Sequence, residues 1–238
     1  MRYEKVCNGT FIERPNRFIA KVVIDGKEET VHVKNTGRCR ELLVPGAEVY
    51  MEDFEGRMGK RKLRYSLIAV KKGNLLINMD SQAPNYVVEE ALTDGRIKPP
   101  GMGKLTCIKR EKTFGDSRYD FYLEDEEGRK GWMEVKGVTL EDNGICRFPD
   151  APTQRGKKHI NGLAKAVEMG YTCQVVFVIQ MNGMKSFEPN DATDLDFGDA
   201  LREASSCGVS VLAYDCIVEP DSLQINSQIK VEKIENIC

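Results

Sequence analysis

The pattern of the chain changes once, at "DSQAPN" (Asp80 to Asn85), and that change constrains the fold more than any other feature. Before it, short β-rich runs are separated by turn residues; after it, strands alternate with helix-length segments. "TFIERPNRFIAKVVIDGKEETVHVK" carries Asp25-Gly26 between two β-rich runs, a strong tight-hairpin signal. "LLVPGAEVYMEDF", "KLRYSLIAVKK" and "NLLINM" continue with short strands, the last two joined across Gly73-Asn74. Five short strands with this punctuation predict an OB-like β-barrel over residues 1–82.

From residue 83 the expected order is αβββαβαβ, a mixed sheet flanked by helices. Asn85 is the expected cap of a short helix, "YVVEEALTD", stopped by Gly95. "LTCIKREKTF" reads as a strand, and "SRYDFYLED" and "KGWMEVKGV" as a hairpin about Glu127-Gly128. Ile160, Leu163, Ala164 and Val167 recur at helical spacing. "CQVVFVIQM" is a buried strand, followed by a helix in "DLDFGDALREASSC" and a strand in "VSVLAYDCIV". This second domain spans 83–238, and its tail, "SLQINSQIKVEKIENIC", reads equally as a final strand or an extension.

With 238 residues, 41% hydrophobic and 30% charged, the chain has the make-up of a folded protein. No apolar run approaches the roughly 20 residues of a membrane span, and the start lacks a signal-peptide pattern. A soluble, cytoplasmic protein is the expectation. The eight cysteines include no CxxC pair, and His32 and His159 are the only histidines, so neither zinc nor disulfides are expected. A formal net charge of −2 confines any nucleic-acid surface to local patches. "RMGKRKLRY", with Arg61, Lys62 and Arg64, and "QRGKKH", with Arg155, Lys158 and His159, are the candidates; a solvated face is the plain alternative.

"GWMEVKGVTL" places Glu134 and Lys136 on one face of a strand. Asp120 lies as far before Glu127 as Glu134 lies after it, so a hairpin centred there sets the two carboxylates opposite each other. Carboxylates that close resist ionising together and call for a cation between them. Lys136 supplies one; a divalent metal bound by hard oxygens, Mg²⁺ or Mn²⁺, supplies more and suits phosphodiester hydrolysis. The alternative is a surface ion cluster worth under about 1 kcal/mol. Arg118 shares the face of Asp120, while Arg155, Lys157 and Lys158 open a helix that Thr153 caps. Cations there oppose the helix dipole unless the site binds anions. A further alternative is an OB platform for bases or small molecules, with Phe18, Tyr50 and Tyr65 as stacking aromatics, though core filling explains them as well.

"NTG" (Asn35–Gly37), "LLVPG" (Leu42–Gly46), "EEAL" (Glu89–Leu92), "GDSRYDF" (Gly115–Phe121), "MEVKGVTL" (Met133–Leu140) and "FPDAPTQRGKKHINGL" (Phe148–Leu163) occur in one known order. The chain resembles the sugar fermentation stimulation protein A family from end to end. That resemblance implies an OB-like barrel joined to a restriction-endonuclease-like domain of the PD-(D/E)xK type. It also implies DNA binding and a link to regulation of sugar (maltose) metabolism genes. Mapped onto this chain, the nuclease pattern implies Asp120, Glu134, Lys136 and Glu90 as catalytic residues. Its helical acid falls on Glu90, with Glu89 as alternative, and Asp120, Glu134 and Glu90 become the implied metal ligands. Glu111 is a further candidate carboxylate, and Arg155, Lys158 and His159 the basic helix set. Pro152, and the "RCREL" that follows "NTG", depart from the family's usual residues without touching the implied ligands.

Overall fold

A computed structural model describes residues 1–35 and 37–234. Five strands, β1 (Val6–Asn16), β2 (Ile19–Ile24), β3 (Lys27–Val33), β4 (Glu48–Asp53) and β5 (Tyr65–Lys72), run in the order β3-β2-β1-β4-β5. A parallel pairing of β3 with β5 closes the barrel, and β6 (Leu75–Asn78) pairs antiparallel with β5. The β2–β3 hairpin turns at Asp25-Gly26, whose positive φ values of 50° and 76° suit a two-residue turn. Alternate residues, among them Ala20, Val22, Val31 and Val33, point inward and are fully buried.

Helix α1 (Ala83–Thr93) follows, then β7 (Leu105–Phe114), β8 (Ser117–Asp125) and β9 (Lys130–Val138) as an antiparallel meander. Two short strands, β10 (Leu140–Asp142) and β11 (Ile145–Phe148), precede α2 (Gln154–Glu168) and β12 (Thr172–Ile179). The chain ends through β13 (Ser186–Pro189), α3 (Leu195–Ser206), β14 (Ser210–Glu219), β15 (Ser222–Gln228) and β16 (Lys230–Val231). The main sheet has the order β15-β14-β12-β9-β8-β7, with β12 parallel to β9 and β14. An OB barrel followed by a mixed sheet with helices is the expected architecture. The tail supplies β15 and β16; its last four residues lie outside the described ones.

β12 is apolar on both faces because both are covered. Cys173, Val175, Phe177 and Ile179 pack with Ile160, Leu163, Phe197 and Leu201 of α2 and α3. Val176 and Val178 pack with Val87, Val88 and Ala91 of α1. Two elements differ from expectation. β10, β11, β13 and β16 form a second, four-stranded sheet. Helix α1 begins three residues early, with Pro84 in its first turn and no side-chain cap on its amides, so Asn85 is free for another use.

Candidate active site

The β8–β9 ladder runs from Glu124 opposite Lys130 to Phe121 opposite Met133. One step further, where Asp120 faces Glu134 in this register, the strands bond differently. The Asp120 carboxylate reaches across and its Oδ2 accepts the Val135 N–H at 2.8 Å. Its Oδ1 accepts from Asn85 Nδ2 at 2.8 Å, which ties α1 to the hairpin. Burial and the Glu134 charge raise the Asp120 carboxyl above its ordinary range, against the pull of these two bonds and Lys136.

Glu134 is 3% exposed. Its Oε1 lies 2.6 Å from both Lys136 Nζ and His159 Nδ1. Burial pushes the Glu134 carboxyl up, but His159 and Lys136 outweigh it and hold the group below its usual value. Its Oε2 is buried and has no hydrogen-bond partner among the described residues. An orphaned carboxylate oxygen is costly unless something cationic completes it. Hard oxygen donors on Asp120 and Glu134 match Mg²⁺, Mn²⁺ or Ca²⁺, and one or two carboxylates are what Mg²⁺ typically takes from a protein. Among the described residues no group of three or more His, Cys, Asp or Glu side chains is assembled for a metal. Two protein carboxylates, with water and substrate oxygens, are thus the donor set that this geometry offers.

The other expected residues fall in several places. Glu90 is half-exposed and pairs with the Met1 ammonium at 2.6 Å rather than turning to Asp120. Glu89, one turn beyond Asn85, pairs with Arg110 at 3.2 Å. Glu111 has φ 55° and pairs with Arg118 at 2.8 Å. His159 is buried against Glu134 instead of lying on the phosphate-facing surface. Lys158 pairs with Asp116 at 2.9 Å. Arg155 is exposed, with no ion-pair partner among the described residues. Thr153 caps α2, its Oγ1 accepting the Gly156 N–H at 3.0 Å. On the barrel, Arg64 is gripped by both oxygens of Asp53 at 2.7 and 2.8 Å, so its charge is spent internally. Lys62 is exposed, and Arg61 donates to Ser66 Oγ.

Sequence reasoning did not reach two features of the site. Asn85 was legible only as a cap, although an Asn two positions past a helix start is equally placed to reach a neighbouring strand. Arg14 donates to four carbonyls, those of Arg17, Asn35, Gly37 and Arg38, at 2.7–2.9 Å. It thereby holds Asn35, Gly37 and Arg38, and the Arg38 N–H meets Asp150 Oδ2 at 3.2 Å. Barrel and second domain therefore touch just ahead of α2. No helix among the described residues is long and apolar enough to cross a membrane.

The fold defines a protein in which an OB barrel precedes an α+β domain, a mixed sheet with helices, whose β8–β9 hairpin carries paired carboxylates. The chain belongs to the sugar fermentation stimulation protein family. A model described as "SfsA N-terminal OB domain" matches residues 12–79, and one described as "Sugar fermentation stimulation protein RE domain" matches residues 82–222. The sugar fermentation stimulation protein homolog of Alkaliphilus oremlandii is 52% identical over 235 residues, covering 98% of this chain and 99% of that protein. The homolog of Desulfitobacterium hafniense strain Y51 is 53% identical over 237 residues, covering 99% and 100%. A solved structure, Pyrococcus furiosus SfsA in complex with Ca²⁺, superposes with a TM-score of 0.87 at 26% identity, covering 98% of each chain.

Proposed function

We propose that this protein is a DNA-binding, metal-dependent phosphodiesterase whose site is Asp120, Glu134 and Lys136. The observation that carries the reading is the buried, unpartnered Oε2 of Glu134 in the same hairpin as Asp120. The Ca²⁺ in the similar Pyrococcus furiosus structure supports a divalent cation here. A bound Mg²⁺ or Mn²⁺ supplies an activated water and charge neutralisation at the phosphate. Asp120 and Glu134 hold it, with Glu89 or Glu90 reaching the site only by exchanging its present ion pair. Lys136, 16% exposed at its side chain, orients the attacking water or stabilises charge on the phosphate. Asn85 and His159 hold the two carboxylates in position.

DNA is the favoured substrate because exposed arginines lie on the segments that meet at the domain junction. Arg38 and Arg40 of the barrel and Arg155 of α2 have no carboxylate partner among the described residues, and the Arg38 backbone is joined to Asp150. Such contacts hold backbone phosphates with little sequence preference. With Mn²⁺, the protein is expected to nick supercoiled plasmid, and Lys136→Ala to bind the same DNA without nicking it. Undiminished nicking by Lys136→Ala would contradict the assignment.

A second reading, a DNA-binding regulator without catalysis, is favoured by His159, since Glu134 already has two internal partners on one oxygen. The name of the relatives, sugar fermentation stimulation protein, suits a regulatory role. Under it, DNA affinity falls steeply with salt while Mn²⁺ leaves plasmid intact.

A further inference from the structure

The barrel carries a second feature that the hairpin chemistry does not use. Phe18, in the β1–β2 turn, leaves 44% of its surface exposed, whereas Tyr65 is 7% exposed and Tyr50 donates its hydroxyl to Glu48. Of the three barrel aromatics considered as stacking groups, Phe18 alone is exposed, with one face of its ring under Arg17 and the other left for a ligand. The Arg17 guanidinium sits 4.7 Å from its centroid. Beside it lies a cleft of about 330 Å³, lined by Phe18, Ile19, His32, Arg61, Lys62 and Leu63. That volume falls in the range of about 300–1,000 Å³ typical of small-ligand sites.

Charge within the β4–β5 loop is sorted. Arg57 pairs with Glu4 and Glu52, and Arg64 with Asp53 and Glu55. Arg61 and Lys62, which line the cleft, have no carboxylate partner among the described residues. Arg61 is nonetheless held in place, stacked on Phe54 at 3.7 Å and bonded to Ser66. The cleft lining contains no acid. Burial, with the charges of Arg61 and Lys34, lowers the His32 pKa, which agrees with a positive field there. An apolar ring face beside unneutralised cations, of which Arg61 is held in place, complements a base with its phosphate. A protein partner would need no such pairing of ring and cations. The β1–β2 and β4–β5 loops and the outer face of β2–β3 are also the surfaces that OB barrels use for oligonucleotides.

We propose that the Phe18 cleft binds an unpaired base of single-stranded DNA, with flanking phosphates on Arg17, Arg61 and Lys62. The proposal rests on the DNA-binding reading above and adds to it a preference for unpaired strand at the barrel. A duplex keeps its base faces stacked on one another and cannot offer one to Phe18.

The test is fluorescence anisotropy with the full chain carrying Asp120→Asn, in EDTA, against labelled oligo(dT) of about twelve nucleotides and a duplex of equal length. Phe18→Ala is expected to weaken oligo(dT) binding about tenfold and to leave duplex binding unchanged. Phe18→Tyr is expected to retain binding and Phe18→Leu to lose it, since leucine fills space but offers no ring face. Equal affinity of Phe18→Ala and its parent for oligo(dT), or equal losses on both DNAs, would overturn the proposal. No binding of either DNA by the parent would overturn it together with the DNA-binding reading. Mn²⁺ binding by the same chain with Asp120 restored then reports separately on the metal site.

Discussion

His159 on α2 lies 2.6 Å through its Nδ1 from Glu134 Oε1 on β9, and both residues are buried. This contact pins α2 to the hairpin and offsets the burial of a carboxylate. His159→Ala leaves Lys136 as the only remaining side-chain partner of that carboxylate, at a cost of ~1–3 kcal/mol. A lower urea midpoint is the expected result, with partial recovery in His159→Gln. An unchanged midpoint would count against the role.

Asn85 positions Asp120 rather than capping a helix. Asn85→Ala removes the Oδ1 donor and is expected to weaken Mn²⁺ binding about tenfold, the lower end of effects for residues that support metal ligands. The same bond partners a buried carboxylate, so Asn85→Ala is also expected to cost ~1–3 kcal/mol of stability. Calorimetric titration at a temperature where a thermal melt shows both proteins folded isolates the binding loss.

Gly162 lets α2 approach β8 closely. A Cβ at this position would overlap the Tyr119 hydroxyl, which donates to the His159 carbonyl at 3.1 Å. Gly162→Ala therefore pushes on the ring that lies beside His159. A destabilisation of ~1–3 kcal/mol from overpacking is expected, despite the better helix propensity of alanine. A gain in melting temperature would contradict it.

Asp125 closes the β8–β9 turn, accepting the N–H groups of Gly103, Glu127 and Arg129 and the Arg129 guanidinium at 2.7–3.0 Å. Burial pushes its carboxyl up, but the bonds from Gly103 and Arg129 win and hold it down at about 2. A depressed carboxyl stabilises the fold above its unfolded pKa of about 3.9 and loses that contribution as pH falls toward 2. Asp125→Asn is expected to be less stable at neutral pH and to lose less stability between about pH 4 and 2. Urea midpoints across that window check this, and parallel curves for the two proteins would refute it.

The hairpin was legible because equal spacing about Glu127 fixes register once a turn is placed there. Strict alternation failed one residue beyond the ladder. Strict alternation puts Tyr119 on the side of Phe121 and Leu123, yet it packs with Trp132 and His159. Opposite Asp120, Glu111 adopts φ 55°, so regular pleating breaks where the site forms. The Met1–Glu90 and Glu134–His159 contacts join residues 89 and 25 positions apart, and no local pattern encodes such meetings. β10, β11, β13 and β16, of two to four residues each, are too short to show a period.

The central claim is that Asp120 and Glu134 form a live divalent-metal site. Calorimetric titration of Mn²⁺ into the wild-type chain and into Asp120→Asn tests it most directly. Saturable binding to the wild type that is lost in Asp120→Asn is the predicted result. Binding to neither protein at millimolar Mn²⁺, or to both with equal affinity, would contradict it.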